Sequence, residues 1–191
     1  MARAVLASVA GMTQTFDAST RTEAPVGADE VTALRGFLDY HRDTFRMKCA
    51  GLTQQQLAQP HPPSAMTLGG MMKHLALNEV GWFGKTLGDV PYPPLFDSVD
   101  WESDPDWEWR TGAEDDPQEL RAIYDDCVRR ADDAIDEALA RGGLDAESVG
   151  KDSSGDPFRL RWVMLHMIEE YARHNGHADL LREAVDGETG E

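Results

Sequence analysis

Cationic side chains are in short supply. The chain carries 18 lysines and arginines against 35 aspartates and glutamates, a formal net charge of −17. A surface of that sign repels phosphate backbones and anionic lipid, which argues against nucleic acid and membranes as partners. Cysteine is nearly absent. Cys49 and Cys127 stand far apart, in segments with a helical apolar period, and read as free thiols of a reducing compartment. The expected location is the cytoplasm. No apolar run approaches the ~20 residues that a membrane-spanning helix needs. The apolar stretch Ala4–Ala10 is short and follows a single arginine, Arg3, which is weak for a secretion signal. Residues 1–28 are small and polar, with Pro25 and Gly27. They are expected to form a loosely ordered extension in which Met12 offers a second start.

What is present is helical periodicity, and no segment reads convincingly as a strand. At 191 residues the chain suits one domain with a substantial core. A first helix is expected from Asp29, with apolar residues at Val31, Leu34, Phe37, Leu38, Phe45 and Leu52. Pro60, Pro62 and Pro63 then forbid a helix. Ser64 or Thr67 can cap a second helix, which runs through Leu68, Met71, Leu75, Trp82 and Phe83 to a stop at Gly88. The stretch from Gly88 to Asp116 reads as loop, with four prolines and with Trp101, Trp107 and Trp109. So long a loop is often functional, and it can cross the length of a bundle. Pro117 opens a third helix that Gly142-Gly143 closes. Asp145–Asp156 reads as a polar loop. A fourth helix spans about Leu160–Val185 and stops at Gly187. The expectation is an all-α four-helix bundle over residues 29–187, with a short tail at 188–191.

The fourth helix carries the chemistry. At about 100° per residue, His166, Glu170, His174 and His177 fall within an arc of about 80°. Val163 and Leu181 lie on the same arc, one turn to either side. A polar stripe bracketed by apolar residues suggests a polar layer inside a core. An ionised carboxylate buried there without compensation is expensive, and a cation would relieve the cost. Glu170 and His174 are four residues apart and can hold one metal together. A third ligand would come from another helix, and His74, between Met71 and Leu75, is the obvious candidate. Two imidazoles, a carboxylate and an open position describe catalytic zinc; nickel, iron or manganese also accept such donors.

Spacing by itself leaves a plainer reading open. His74 would then be a hydrogen-bonded core histidine, and Glu170 would pair with Arg173 or Arg161 at the surface. His166 and His177 would be partly exposed helix residues. His61 reads as loop. His41, beside Arg42 and Asp43, reads as a solvated face that could reach the mouth of a site. Met71-Met72 reads as core.

The segment Thr67-Leu-Gly-Gly-Met-Met-Lys-His-Leu-Ala-Leu-Asn-Glu79 resembles the second helix of the DinB-like (YfiT-like) metalloprotein superfamily. Leu160-Arg-Trp162, with His166-Met-Ile-Glu-Glu-Tyr-Ala-Arg-His-Asn-Gly-His-Ala-Asp179, resembles its fourth. The likeness extends from about Asp29 to Gly187 and is nearest to the actinobacterial branch described as mycothiol transferases. It implies a bundle of up-down-down-up topology, with the 88–116 segment as its crossover. It also implies a metal held by one histidine of the second helix and an i, i+4 pair of the fourth, positions that match His74, Glu170 and His174. Many relatives have histidine where Glu170 stands, while the related mycothiol-dependent maleylpyruvate isomerase has glutamate. His41 departs from the glutamine common in relatives.

Three function classes follow. The first is a metal-dependent thiol S-transferase that joins a low-molecular-weight thiol such as mycothiol to an electrophilic small molecule. In it His177 or His166 orients ligands or moves protons. The second is a metal-dependent hydrolase or isomerase acting through water. The third is a non-catalytic, metal-stabilised binding or stress protein. A homodimer is expected.

Overall fold

The computed structural model describes residues 21–189. The expectations for residues 1–20, and for Gly190 and Glu191, lie outside the described residues. The described chain is mostly helical, with one small two-stranded sheet.

Helix α1 spans Glu30–Cys49. It starts where the Asp29 carboxylate accepts the Thr32 N–H at 2.9 Å, satisfying one of the free donors of a helix N-terminus. Helix α2 is the single turn Gln54–Leu57. Leu52, expected inside the first helix, thus lies between the two. Helix α3 covers Leu68–Glu79. Its cap is Thr67, whose hydroxyl accepts the Gly70 N–H at 3.1 Å. The helix continues from Val80 to Thr86 as a wider, π-type turn. The segment expected to be loop from Gly88 to Asp116 contains two short helices, α4 (Pro94–Asp97) and α5 (Trp107–Gly112). Periodicity cannot register elements this short.

Helix α6 spans Pro117–Gly142 and α7 spans Leu160–Asp186. Asp116 caps α6 by accepting the Gln118 and Glu119 N–H groups. Gly187, at φ +79°, closes α7 in the left-handed conformation that glycine adopts without strain.

Between α6 and α7 the expected polar loop is instead a β-hairpin. Strands β1 (Glu147–Lys151) and β2 (Pro157–Arg159) pair antiparallel. The turn explains it. Asp152 Oδ1 accepts the Ser154 and Asp156 N–H groups at 2.8 and 2.9 Å, and Gly155 takes φ +86°.

Helix α1 packs along α7, and α3 packs along α6 and α5 while also touching α7. The core joins Leu38 and Phe45 of α1, Leu75 of α3, Leu120 and Ile135 of α6, and Met167 of α7. Phe37, expected in the buried stripe of α1, is half exposed. The buried line runs Leu38, Arg42, Phe45, Cys49, and Phe37 falls beside it. Arg42 in that line is a charged core residue. Its guanidinium meets the Glu79 carboxylate at 2.7 Å through two nitrogens, and Asp39 and Asp132 from the rim. Tyr171 Oη donates to Glu79 Oε1 at 2.7 Å and pairs with Tyr124 Oη at 2.8 Å. This network ties α1, α3, α6 and α7 together across the core.

Candidate metal centre

Helix α3 and helix α7 bring three donors to one point. His74 Nε2 and His174 Nε2 lie 3.8 and 3.7 Å from Glu170 Oε1. One ligand atom from each of the three residues falls within 4.8 Å of the others, and among the described residues this is the group able to hold a metal ion. His174 is buried, while His74 and Glu170 are partly buried. Burial, and after it the neighbouring His74, push the His174 imidazolium down to about 4, so its ring is neutral near pH 7. Asn78, one turn beyond His74, puts its Nδ2 at 3.0 Å from His74 Nε2 and 3.5 Å from Glu170 Oε1. The amide hydrogens point at the spot on which the lone pairs converge. A cation suits that spot for the same electrostatic reason.

Glu170 does not pair with Arg161. Arg161 is engaged with Glu30 and Asp145, and Arg173 is exposed.

The long segment between α3 and α6 completes the surroundings. Trp109 of α5 stacks on His74, with ring centroids 4.6 Å apart, and lies 5.9 Å from the His174 ring. Glu108 of α5, 5% exposed, holds His74 Nδ1 at 3.2 Å through Oε1. Glycines make this approach possible. A Cβ on Gly69 would sit 2.4 Å from Gly112 O, and one on Gly70 would sit 2.6 Å from Trp109 O. Backbone therefore meets backbone where any side chain would force the helices apart. Lys73 fastens the same contact, binding Thr111 Oγ1 at 2.9 Å and Asp115 Oδ2 at 2.7 Å over the Trp107 ring. Trp101 and Phe96 pack edge-on against Trp107 and pin the segment.

The other histidines divide. The ring of His177 meets that of His174 edge-on at 5.6 Å, and its Nδ1 is buried without a protein partner. His174 Nδ1 and Glu108 Oε2 share that condition. His41 is partly buried rather than solvated. Asn175, next to His174, donates its amide to the His41 carbonyl at 3.0 Å. His166 stands apart from the cluster. It stacks on Trp162 at 5.1 Å and meets Trp82 at 4.5 Å, in an aromatic group completed by Phe158. An open groove of about 450 Å³ lies beside Phe158, Trp162 and Leu165, and none of the three candidate ligands lines it. His61 is exposed.

The residues present fit a divalent cation. Two imidazole nitrogens and a carboxylate oxygen converge, one ring is neutral, and a buried carboxylate backs the other. Residues 33–187, which include every member of this cluster, match the family described as Mycothiol-S-transferase. The chain belongs to that family. No curated protein matches the chain. Its membership in the mycothiol-transferase branch of the DinB-like proteins agrees with the likeness carried by α3 and α7. Family membership implies a thiol and an electrophile as substrates. Among the described residues no helix is long and apolar enough to cross a membrane.

Sequence reasoning missed Glu108. It sits in a stretch with no usable period, Trp107-Glu108-Trp109, between acidic loop residues. The one available signal was a single carboxylate flanked by two tryptophans, with Gly69-Gly70 marking a close backbone approach on α3.

Proposed function

We propose that this chain is a divalent-metal-dependent thiol S-transferase, joining a mycothiol-type thiol to an electrophilic small molecule. The observation that carries the reading is the convergence of one donor atom each from His74, Glu170 and His174 within 4.8 Å in a member of the mycothiol-S-transferase family. In this reading His74, Glu170 and His174 hold the ion, with zinc as the first choice and nickel, iron or manganese compatible with the donors. A bound divalent cation supplies the positive charge that keeps a thiol ionised at neutral pH. The thiolate is the nucleophile: the thiol gives its proton to solvent, its sulfur forms the new bond to the electrophilic carbon, and that carbon's bond to its leaving group breaks with the electron pair departing on the leaving group. The stacked rings of Trp109 and His74 wall one side of the site. In this reading His177, whose ring meets that of His174 edge-on at 5.6 Å, orients ligands or moves a proton. His166, in the aromatic group, takes the more distant positioning role.

The same reading makes residues 29–187 one catalytic domain, with α1, α3, α6 and α7 as an up-down-down-up bundle and the 88–116 segment as its crossover. Pairing of α1 with α7 and of α3 with α6 supports that topology. It also takes the protein to be cytoplasmic and a homodimer.

The test starts with elemental analysis of protein purified without chelator. Turnover of mycothiol with electrophiles is then measured with and without chelator, for the parent chain and for His74→Ala and His174→Ala. The expected result is one divalent ion per chain, lost in both variants together with thiol-dependent turnover. Metal stoichiometry that survives both substitutions sinks the ligand assignment. Turnover that proceeds equally well without thiol moves the reading to a hydrolase or isomerase.

A further inference from the structure

The proposed ligand His74 is held from behind. An imidazole can turn about its side-chain bonds, and it offers a lone pair on one ring nitrogen while the other carries hydrogen. Which nitrogen does which is set by the partner of the other. Here Nδ1 faces Glu108 Oε1 at 3.2 Å, and a carboxylate accepts but does not donate. Nε2 faces Asn78 Nδ2 at 3.0 Å, on the side of Glu170. Trp109, the next residue after Glu108, stacks on the ring face and fixes its tilt. Asn78 belongs to α3 itself, while Glu108 and Trp109 come from α5, which the Gly69, Gly70 and Gly112 contact presses against α3.

Glu108 is also out of place as a structural residue. It is almost fully buried, its Oε2 has no protein partner, and its Oε1 reaches only His74. A buried carboxylate with so few partners destabilises the fold unless its charge is used. The lysine nearest in the same contact, Lys73, is satisfied by Asp115 and Thr111 instead.

We infer that Glu108 is a positioning residue for the metal centre: it holds His74 with hydrogen on Nδ1 and the Nε2 lone pair aimed at Glu170 and His174. This rests on the reading of His74, Glu170 and His174 as metal ligands. The carboxylate makes the imidazole a stronger donor and spares it the cost of turning on binding. Its place on α5 makes the long inter-helix segment a working part of the site rather than a cover.

The experiment uses the full chain, as the parent and as Glu108→Ala, Glu108→Gln and His74→Ala. Zinc affinity is measured by competition with a chromophoric chelator, and the fold by circular dichroism. Nitrogen-15 imidazole correlation spectra of the metal-free protein report which His74 nitrogen carries hydrogen. We expect zinc affinity to fall 10- to 100-fold in Glu108→Ala. Glu108→Gln, which keeps an accepting oxygen, should fall less. The parent should show His74 with hydrogen on Nδ1, and Glu108→Ala a shift of population toward Nε2. A merely structural role for Glu108 would leave the His74 spectrum unchanged. Unchanged zinc affinity in Glu108→Ala, with His74→Ala abolishing binding, overturns the role of Glu108 and leaves the ligand set standing. A parent chain that binds no zinc overturns both.

Discussion

The Glu79 carboxylate accepts two hydrogen bonds from the Arg42 guanidinium, each 2.7 Å long, and neither side chain is more than 1% exposed. Burial by itself would drive the Arg42 guanidinium toward its neutral form; Glu79 first, with Tyr171 and Asp132 after it, more than reverses that and holds the charge in place. Breaking one side of such a pair strands the other charge in the core. Glu79→Ala is therefore expected to cost about 3–5 kcal/mol in a denaturant titration. The double variant Arg42→Met, Glu79→Met should lose much less than the sum of the single losses. Strict additivity would show that the two charges are not energetically coupled.

Glu170 and Glu169 are adjacent on α7 but face different surroundings, the first the cluster with His74 and His174, the second solvent. A ligand present at 100 times its dissociation constant stabilises the state that binds it by about 2.7 kcal/mol. Glu170→Gln should forfeit most of the zinc-induced rise in melting temperature, while Glu169→Gln should keep it. Equal zinc-induced shifts in Glu170→Gln and the parent would remove Glu170 from the ligand set and turn attention to His177.

Gly69 and Gly176 make opposite predictions for the same substitution. Gly69→Ala places a methyl 2.4 Å from Gly112 O, against backbone that cannot swing away. It should cost about 1–3 kcal/mol and weaken zinc binding, because α5 carries Glu108 and Trp109. Gly176 lies inside α7 with nothing within 4 Å of its missing Cβ. Gly176→Ala should raise stability by about 0.5–1 kcal/mol. Thermal unfolding of both variants, with chelator competition on the first, checks the pair. A neutral Gly69→Ala would mean that α5 does not depend on the close contact.

Cys49 and Cys127 are buried, and burial raises both thiols to about 12. An unburied cysteine thiol ionises near 9.0. The unfolded chain therefore ionises these groups first as the solution becomes alkaline. Their contribution is complete below pH 9 and declines as pH rises from 9 toward 12. At pH 8 iodoacetamide should label neither cysteine in the folded protein and both in denaturant, as read by mass spectrometry. Rapid labelling of the native protein would contradict their burial.

The sequence determined the four long helices and both ends of most of them, because periodicity, caps and stops are local. Asp29, Thr67, Asp116 and Gly187 act within a few residues of themselves. It also supplied Glu170 with His174 as a pair, since four residues of helix bring them to one face, and it offered His74 between Met71 and Leu75 of another helix as the third donor, a position that the resemblance matched. Whether those three residues share one point was beyond it: the distance depends on how α3 sits against α7. The structure set that distance through packing spread over the whole core and through the Arg42–Glu79–Tyr171–Tyr124 network, whose members lie on four different helices. Arg42 and Glu79 look like surface residues until their partners are known, since a buried charge becomes tolerable only when an opposite one arrives from elsewhere in the chain. The β-hairpin and α5 were missed because strands of five and three residues and a helix of six are too short to carry a period. Glu108 was invisible for the related reason that the contact it makes is with a residue 34 positions away, brought close by backbone glycines that permit two helices to touch.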